Sequence, residues 1–331
     1  MSVELFLIMS GIKSETYVIS IDIGGTKSAV SLVSLSGQVL RRESEPTRPT
    51  ERTPFETLES LVTLTKEIIV QSGIAKENLI GVGVSAGGPL DRETGTLLRP
   101  PNLPGWEAVP VKCVFEELLN LPVRVENDAN ATALAEWHYG AGRGARNIVF
   151  MTIGTGIGAG LILDGKLYHG TNDLAGELGH QTILMNGPPC LCGKRGCLEA
   201  LASGPAIARL ARESMMYGRH KRVLALAGGN PNHITATHVV DAAKKGDPFA
   251  LGILEEAGTY LGVGLANTIM MLNPEKIILG TLVVHAGDLL LTPARAAIAE
   301  YAWKRAAERC EIMPAALGDR AQDLAGAALW L

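Results

Sequence analysis

The sequence predicts an α/β protein of two domains built on a repeated plan, and three observations carry that expectation. The chain has 331 residues, more than one ordinary core needs at about 150 residues per domain. Runs of β-branched residues alternate with helix-forming stretches along its length. A strand, a glycine turn bearing a hydroxyl and a second strand occur twice, about 130 residues apart, which is the signature of an internal repeat.

The first such unit begins with the β-branched run Tyr17 to Asp22, passes through Gly24-Gly25, and resumes its apolar pattern over Ala29 to Val33. A hairpin with a tight turn is the natural reading. Phe55 to Gln71 carries helical periodicity, Leu79 to Ser85 is a strand of small buried residues, and Pro122 to Glu126 is a strand running into Asn127-Asp128. Ala129 to Trp137 is rich in helix formers. The second unit pairs Asn147 to Ile153 with Ala159 to Leu163 around Gly154-Thr-Gly-Ile-Gly158. Beyond it, helices are expected over Pro205 to Met216, His238 to Lys245, Phe249 to Leu272 and Ala294 to Ala307, with a strand at Lys276 to Leu279.

Composition excludes several function classes. The formal net charge of −4 offers no electrostatic footprint for nucleic acid. Lys194-Arg195 and His220-Lys221-Arg222 are the short basic clusters, read as solvated loops. The apolar segment Val3 to Met9 lacks a preceding cationic stretch and falls short of the ~18 apolar residues of a membrane span. Neither membrane insertion nor secretion is expected, which places the protein in the cytoplasm. Of five cysteines, Cys190, Cys192 and Cys197 crowd into eight residues, while Cys113 and Cys310 stand alone and read as buried filler.

Chemistry is carried by four groups of residues. Backbone N–H groups in glycine turns form concave anion sites, so Asp22-Ile-Gly-Gly-Thr-Lys27 and Gly154-Thr-Gly-Ile-Gly158 together suit a polyphosphate, although each alone also reads as a mere hairpin turn. The spacing matches neither a P-loop nor a dinucleotide fingerprint. Asp128, between a strand and a helix, is either a helix cap or the general base of a phosphoryl transfer to an alcohol. His180, Cys190, Cys192 and Cys197 supply the four tetrahedral ligands of a closed, structural zinc site, with Gly193 and Gly196 letting the loop wrap the ion. Glu177 and Glu199 bracket that loop and could accept hydrogen bonds from the hydroxyls of a polyol.

Taken together these residues resemble the ROK family of repressors, open reading frames and kinases, within the hexokinase and actin superfamily. The resemblance runs from Tyr17 onward and includes Glu126-Asn-Asp-Ala-Asn130, Glu177-Leu-Gly-His180, Cys190-Leu-Cys192, Gly196-Cys-Leu-Glu199 and Gly262 to Gly280. It implies two actin-like (ribonuclease H-like) domains with a cleft between them, divided as 1–138 with 314–331 and 139–313. It also implies an ATP-dependent kinase acting on the primary hydroxyl of a hexose, glucose first, with an N-acetylhexosamine or fructose as alternatives.

By the same resemblance, Asp128 would be the base. Gly88, Asn102, Asn127, Glu177, His180 and Glu199 would hold the sugar's other hydroxyls. Gly24, Gly25, Thr26, Lys27, Thr155 and Gly156 would surround the phosphates, with Asp22 helping to hold Mg2+ and Gly280 lying near the adenosine. His180 would serve zinc through one ring nitrogen and sugar through the other. Relatives commonly pair, so a homodimer is expected. Two departures stand out: Gly87 where family members often have proline, and Gly280-Thr-Leu282 where many have a glycine triplet. A regulator of the same family needs a DNA-reading domain, and the short stretch ahead of Tyr17 has no room for one. The expectation is therefore an enzyme.

Overall fold

The computed structural model describes residues 15–217 and 220–331; Val3 to Met9 lies outside them. The chain divides into two compact units, Met1–Tyr139 with Asp319–Leu331, and Gly140–Gly318. Each is built around a five-stranded mixed sheet.

In the first unit the strands are β1 (Tyr17–Ile23), β2 (Lys27–Ser34), β3 (Val39–Pro46), β4 (Leu79–Ala86), a short ribbon of β5 (Leu90–Asp91) and β6 (Thr96–Leu97), and β7 (Val123–Asn127). The sheet order is β3-β2-β1-β4-β7, antiparallel across β1, β2 and β3 and parallel across β1, β4 and β7. Four successive residues of β1, Val18 to Ile21, are buried, as expected of a central strand covered on both faces. The helix Pro54–Ser72 starts at a capping box, in which Thr53 accepts from the Glu56 amide and Glu56 reaches back to Thr53. It buries Leu58, Leu61, Val62, Thr65 and Ile68, one helical face.

The other face of this sheet is covered by the helix Arg320–Ala328, which returns from the far end of the chain. Its Gly326 amide donates to Ser20 Oγ at 3.0 Å, and Asp323 accepts from Ser31 Oγ at 2.7 Å and from Arg42 Nε at 2.8 Å. The approach is so close that a Cβ on Gly83 would strike the Gly326 carbonyl, and one on Gly326 the Gly83 carbonyl. Only glycine permits backbone-to-backbone packing there.

The second unit repeats the plan. Its strands are β8 (Ile148–Ile153), β9 (Ile157–Leu163), β10 (Lys166–Leu167), β11 (Lys276–Leu279) and β12 (Glu311–Pro314), in the order β10-β9-β8-β11-β12. Pairing is again antiparallel on the β9 side and parallel through β8, β11 and β12. The core is closed by the 25-residue helix Pro248–Leu272, N-capped by Asp247 and packed against the helix Asp288–Tyr301.

Three expectations are corrected. The helix expected over Ala294 to Ala307 starts earlier, at Asp288, and stops at Tyr301, because Ala302 and Trp303 take extended backbone before a separate turn, Lys304–Ala307. Cys113 is exposed, not buried: its helix, Val111–Leu119, turns Val111 and Phe115 inward and leaves the third residue outside. Cys310 is buried as expected. Lys221 and Arg222 are exposed but sit on a helix, Lys221–Leu226, not a loop.

Candidate functional site

In the first unit, the parallel strands β1, β4 and β7 bring Asp22, Ser85 and Glu126 into register at their carboxyl ends, where open α/β sheets place ligands. Asn127 ends β7, and its Oδ1 caps the next helix by accepting from the Ala129 amide at 3.0 Å and the Asn130 amide at 3.4 Å. Asp128 opens the helix Asp128–Tyr139 as an exposed carboxylate, its Oδ1 accepting from the Ala129 amide at 2.8 Å. The capping position that the sequence offered to Asp128 is thus shared with Asn127. Beneath them the buried Glu126 Oε1 accepts from the Asn127 amide at 2.9 Å and from Asn130 Nδ2 at 3.0 Å, which fixes the backbone leading into Asp128.

Burial, and then the neighbouring Asp128 charge, push the Asp22 carboxyl up to about 7, against the pull of the Ser85 hydroxyl. A buried carboxyl that feels a second carboxylate calls for a cation or a proton. Between β1 and β2, the turn is closed by the Gly24 amide donating to Lys27 O at 3.2 Å and by Thr47 Oγ1 donating to Gly24 O at 2.6 Å. The Gly25 and Thr26 amides have no hydrogen-bond partner among the described residues. A polar cavity of about 250 Å³ opens on Asp22, Gly24, Gly25, Thr26, Lys27 and Arg42. Arg42 was missed in the sequence because it lies on the polar strand β3. A Cβ on Gly25 would strike the Asn102 carbonyl, and one on Gly88 would lie 3.1 Å from Asn127 Nδ2.

In the second unit, the turn between β8 and β9 is closed by the Gly154 amide donating to Gly156 O at 2.9 Å. The Thr155 and Gly156 amides are likewise without partners among the described residues. Beside this turn is a cavity of about 680 Å³ whose walls include Ile153, Thr155, Ala208, Arg212, Thr281 and Leu282. Its size suits a small organic ligand. Gly280 lies behind that wall, where a Cβ would meet the Phe150 ring at 3.2 Å. Glu199 ties turn to loop: its Oε2 accepts from the Ile157 amide at 2.8 Å, and its Oε1 lies 3.8 Å from Cys190 Sγ.

The four ligand atoms of His180, Cys190, Cys192 and Cys197 lie within 4.8 Å of one another. Cys192 Sγ and Cys197 Sγ are 3.7 Å apart, and Cys190 Sγ is 3.7 Å from His180 Nδ1. Tetrahedral zinc with bonds of about 2.3 Å to sulfur and 2.0 Å to nitrogen requires about 3.8 Å between sulfurs and about 3.5 Å between sulfur and nitrogen; these two pairs come close to that, and one imidazole with three thiols is a donor set that suits the ion. The loop reaches this geometry through Gly193 and Gly196, at φ of 84° and 69°. Burial pushes the Cys197 thiol up to about 12 and raises that of Cys190, whereas the Lys194 amide lowers that of Cys192; a cation among them would favour all three thiolates. With Nδ1 turned to the sulfurs, His180 Nε2 faces Glu177 Oε2 at 3.8 Å.

Residues 18–331 match the ROK family. The chain belongs to that family. A glucokinase of Halalkalibacterium halodurans is 38% identical over 319 residues, covering 96% of this chain and 95% of that protein. A crystal structure of a ROK family glucokinase from Streptomyces griseus in complex with glucose and AMPPNP superposes with a TM-score of 0.80 at 32% identity, covering 95% of this chain and 98% of that one. A xylose repressor of Caldicellulosiruptor bescii is 31% identical over 92% of this chain and 75% of its own length.

This ROK chain distributes the residues singled out from sequence between its two units. The first holds Asp22, Gly24, Gly25, Thr26, Lys27, Gly88, Asn102, Asn127 and Asp128; the second holds Thr155, Gly156, Glu177, Gly280, Glu199 and the zinc-type donor set. Sequence reasoning passed over the buried carboxylate Glu126 as a positioning group and over Thr281 and Arg212 as cavity walls. Nothing in their spacing marks them.

Proposed function

We propose that this protein transfers the γ-phosphoryl group of ATP to the primary hydroxyl of glucose, giving glucose 6-phosphate and ADP. The observation that carries the reading is the pair Asp22 and Asp128 at the carboxyl ends of β1 and β7, beside a glycine turn with two vacant amides. Similarity to bacterial glucokinases supports both donor and acceptor.

Asp128 takes the hydroxyl proton as the sugar oxygen attacks the γ-phosphorus, the new O–P bond forms, and the bond to ADP breaks. Its exposed position at a helix start keeps it reachable. Asn127 Nδ2, with Oδ1 committed to the helix, is left to donate to a sugar oxygen alongside Asn102 and the Gly88 backbone. In the second unit, Glu177, His180 Nε2 and Glu199 offer acceptors and a donor suited to the hydroxyls of a polyol. In the first unit the Gly25 and Thr26 amides, with Lys27, suit phosphate oxygens, and in the second unit the Thr155 and Gly156 amides do so separately. Asp22 would hold Mg2+, which when bound would neutralise phosphate charge. The adenosine occupies the cavity walled by Thr281 and Leu282 in front of Gly280. His180, Cys190, Cys192 and Cys197 would hold a zinc ion, which when bound would stiffen the loop that carries Glu177 and Glu199. Reduced, clustered cysteines suit the cytoplasm. A homodimer belongs to the same reading, and a net charge of −4 argues against a nucleic-acid partner.

A coupled assay of ADP release with glucose, mannose, fructose, N-acetylglucosamine and N-acetylmannosamine tests the proposal, with zinc measured on the same preparation. The highest kcat/KM is expected for glucose, with one zinc per chain. ADP release with none of the five would replace the enzyme by a sugar-responsive regulator like the repressors it resembles.

A further inference from the structure

The end of β8 leads directly into the phosphate turn Gly154-Thr155-Gly156, and the hydrogen bonding there is irregular. Gly280, just past β11, donates its amide to Met151 O at 2.8 Å, the last rung of the parallel ladder. The next rung of a parallel pair would join the Ile153 amide to the Gly280 carbonyl. That carbonyl is already engaged, accepting from the Val283 amide at 3.3 Å as the chain turns into the short helix Leu282–Ala286.

The Ile153 amide instead donates to Thr281 Oγ1 at 3.1 Å, and Thr281 Oγ1 lies 2.7 Å from Thr152 Oγ1. A hydroxyl thus stands in for the missing backbone acceptor, one residue ahead of Gly154. Delivering it there requires unusual backbone: Thr281 has φ 53° and ψ −110°, a conformation that disfavours a β-branched residue. The exit of the turn is held in a parallel manner, since the Ile157 amide donates to Glu199 Oε2 at 2.8 Å. Both amides flanking the turn are therefore taken by side chains, and the two within it, on Thr155 and Gly156, remain vacant among the described residues.

We propose that Thr281 is a positioning residue for the nucleotide. Its hydroxyl pins the entry of the turn, so that the Thr155 and Gly156 amides are preorganised for phosphate oxygens, at the expense of strain in its own backbone. This rests on the reading of the turn as a phosphate site. Removal of the hydroxyl frees the Ile153 amide and loosens the turn, while the sugar-binding carboxylates Glu177 and Glu199 stay in place.

The test compares wild type with Thr281→Val, which keeps the shape and the backbone demand but lacks the acceptor, and with Thr281→Ser, which keeps the acceptor. Binding of AMPPNP with Mg2+ and of glucose is measured separately by calorimetry on the full-length protein. Thr281→Val is expected to weaken AMPPNP about five- to tenfold and leave glucose affinity within twofold, with Thr281→Ser within twofold of wild type for both. AMPPNP bound equally well by Thr281→Val overturns the inference, as does an equal loss of glucose affinity, which marks general damage to the unit. Equal weakening in Thr281→Ser overturns it too, because the hydroxyl is then not the cause. A wild-type protein that binds no AMPPNP removes instead the underlying phosphate-site reading.

Discussion

Replacing Asp22 by asparagine should make the ligand-free protein more stable at alkaline pH while abolishing its activity. The Asp22 carboxyl titrates at about 7 in the folded protein against 3.8 when unperturbed. An acid raised in this way contributes stability that is fully present below about pH 3.8 and is lost as pH rises through about 7. At about 1.4 kcal/mol per decade, the ceiling on that loss is about 4 kcal/mol, and water entry and local relaxation bring the expected value to about 1–2 kcal/mol. Asparagine keeps the shape without the charge, so Asp22→Asn should gain on wild type by that amount between about pH 4 and pH 8. Urea unfolding in EDTA without nucleotide, followed by tryptophan fluorescence, reads this directly. Trp106, Trp137 and Trp330 belong to the first unit, whereas Trp303 is 75% exposed and responds little. A stability difference that does not change with pH, or one that favours wild type as pH rises, would refute the electrostatic account. Mg2+ with AMPPNP should reverse the order, because the carboxylate then has its cation.

The other expected outcomes are independent of that one. Asp128→Ala should lower kcat by about 10²-fold or more with glucose affinity within a few-fold; near wild-type turnover in single-turnover kinetics would remove Asp128 from the chemistry. Cys192→Ser should lose zinc by elemental analysis and raise the glucose KM by about tenfold, and unchanged sugar kinetics in a zinc-free preparation would detach the metal loop from sugar binding. Gly326→Ala should destabilise the first unit by about 1–3 kcal/mol in urea, since the new Cβ lies 2.5 Å from Ser20 Oγ and meets the Gly83 carbonyl.

Much of the fold was legible because its central strands are extreme in composition. Tyr17 to Asp22 and Asn147 to Ile153 are β-branched runs halted by glycine, and covered strands need that composition. The polar strand β3 was invisible for the opposite reason: it is a sheet edge whose Leu40, Arg41, Arg42, Glu43 and Ser44 face solvent, where charge discourages pairing with another chain. The helix Arg320–Ala328 escaped as well, since its buried residues Ala325, Gly326, Ala327 and Ala328 are small and carry little hydrophobic contrast. At the candidate site, the donor set around Cys190 was plain from residue type and spacing. Thr281 was not, because its role arises from a carbonyl already engaged elsewhere, a property of the folded ladder and not of any motif.

The ion pair between Arg42 and Asp323 and the bond from Ser31 to Asp323 span 281 and 292 residues, which gives the molecule an order of assembly. During synthesis, the Gly140–Gly318 unit emerges as one unbroken stretch and can close by itself. The sheet that precedes it stays bare on the side of Ser20 and Gly83 until the helix Arg320–Ala328 leaves the ribosome. The unit begun first thus stays incomplete until the other has emerged, and chaperone occupancy on nascent chains should track that uncovered surface.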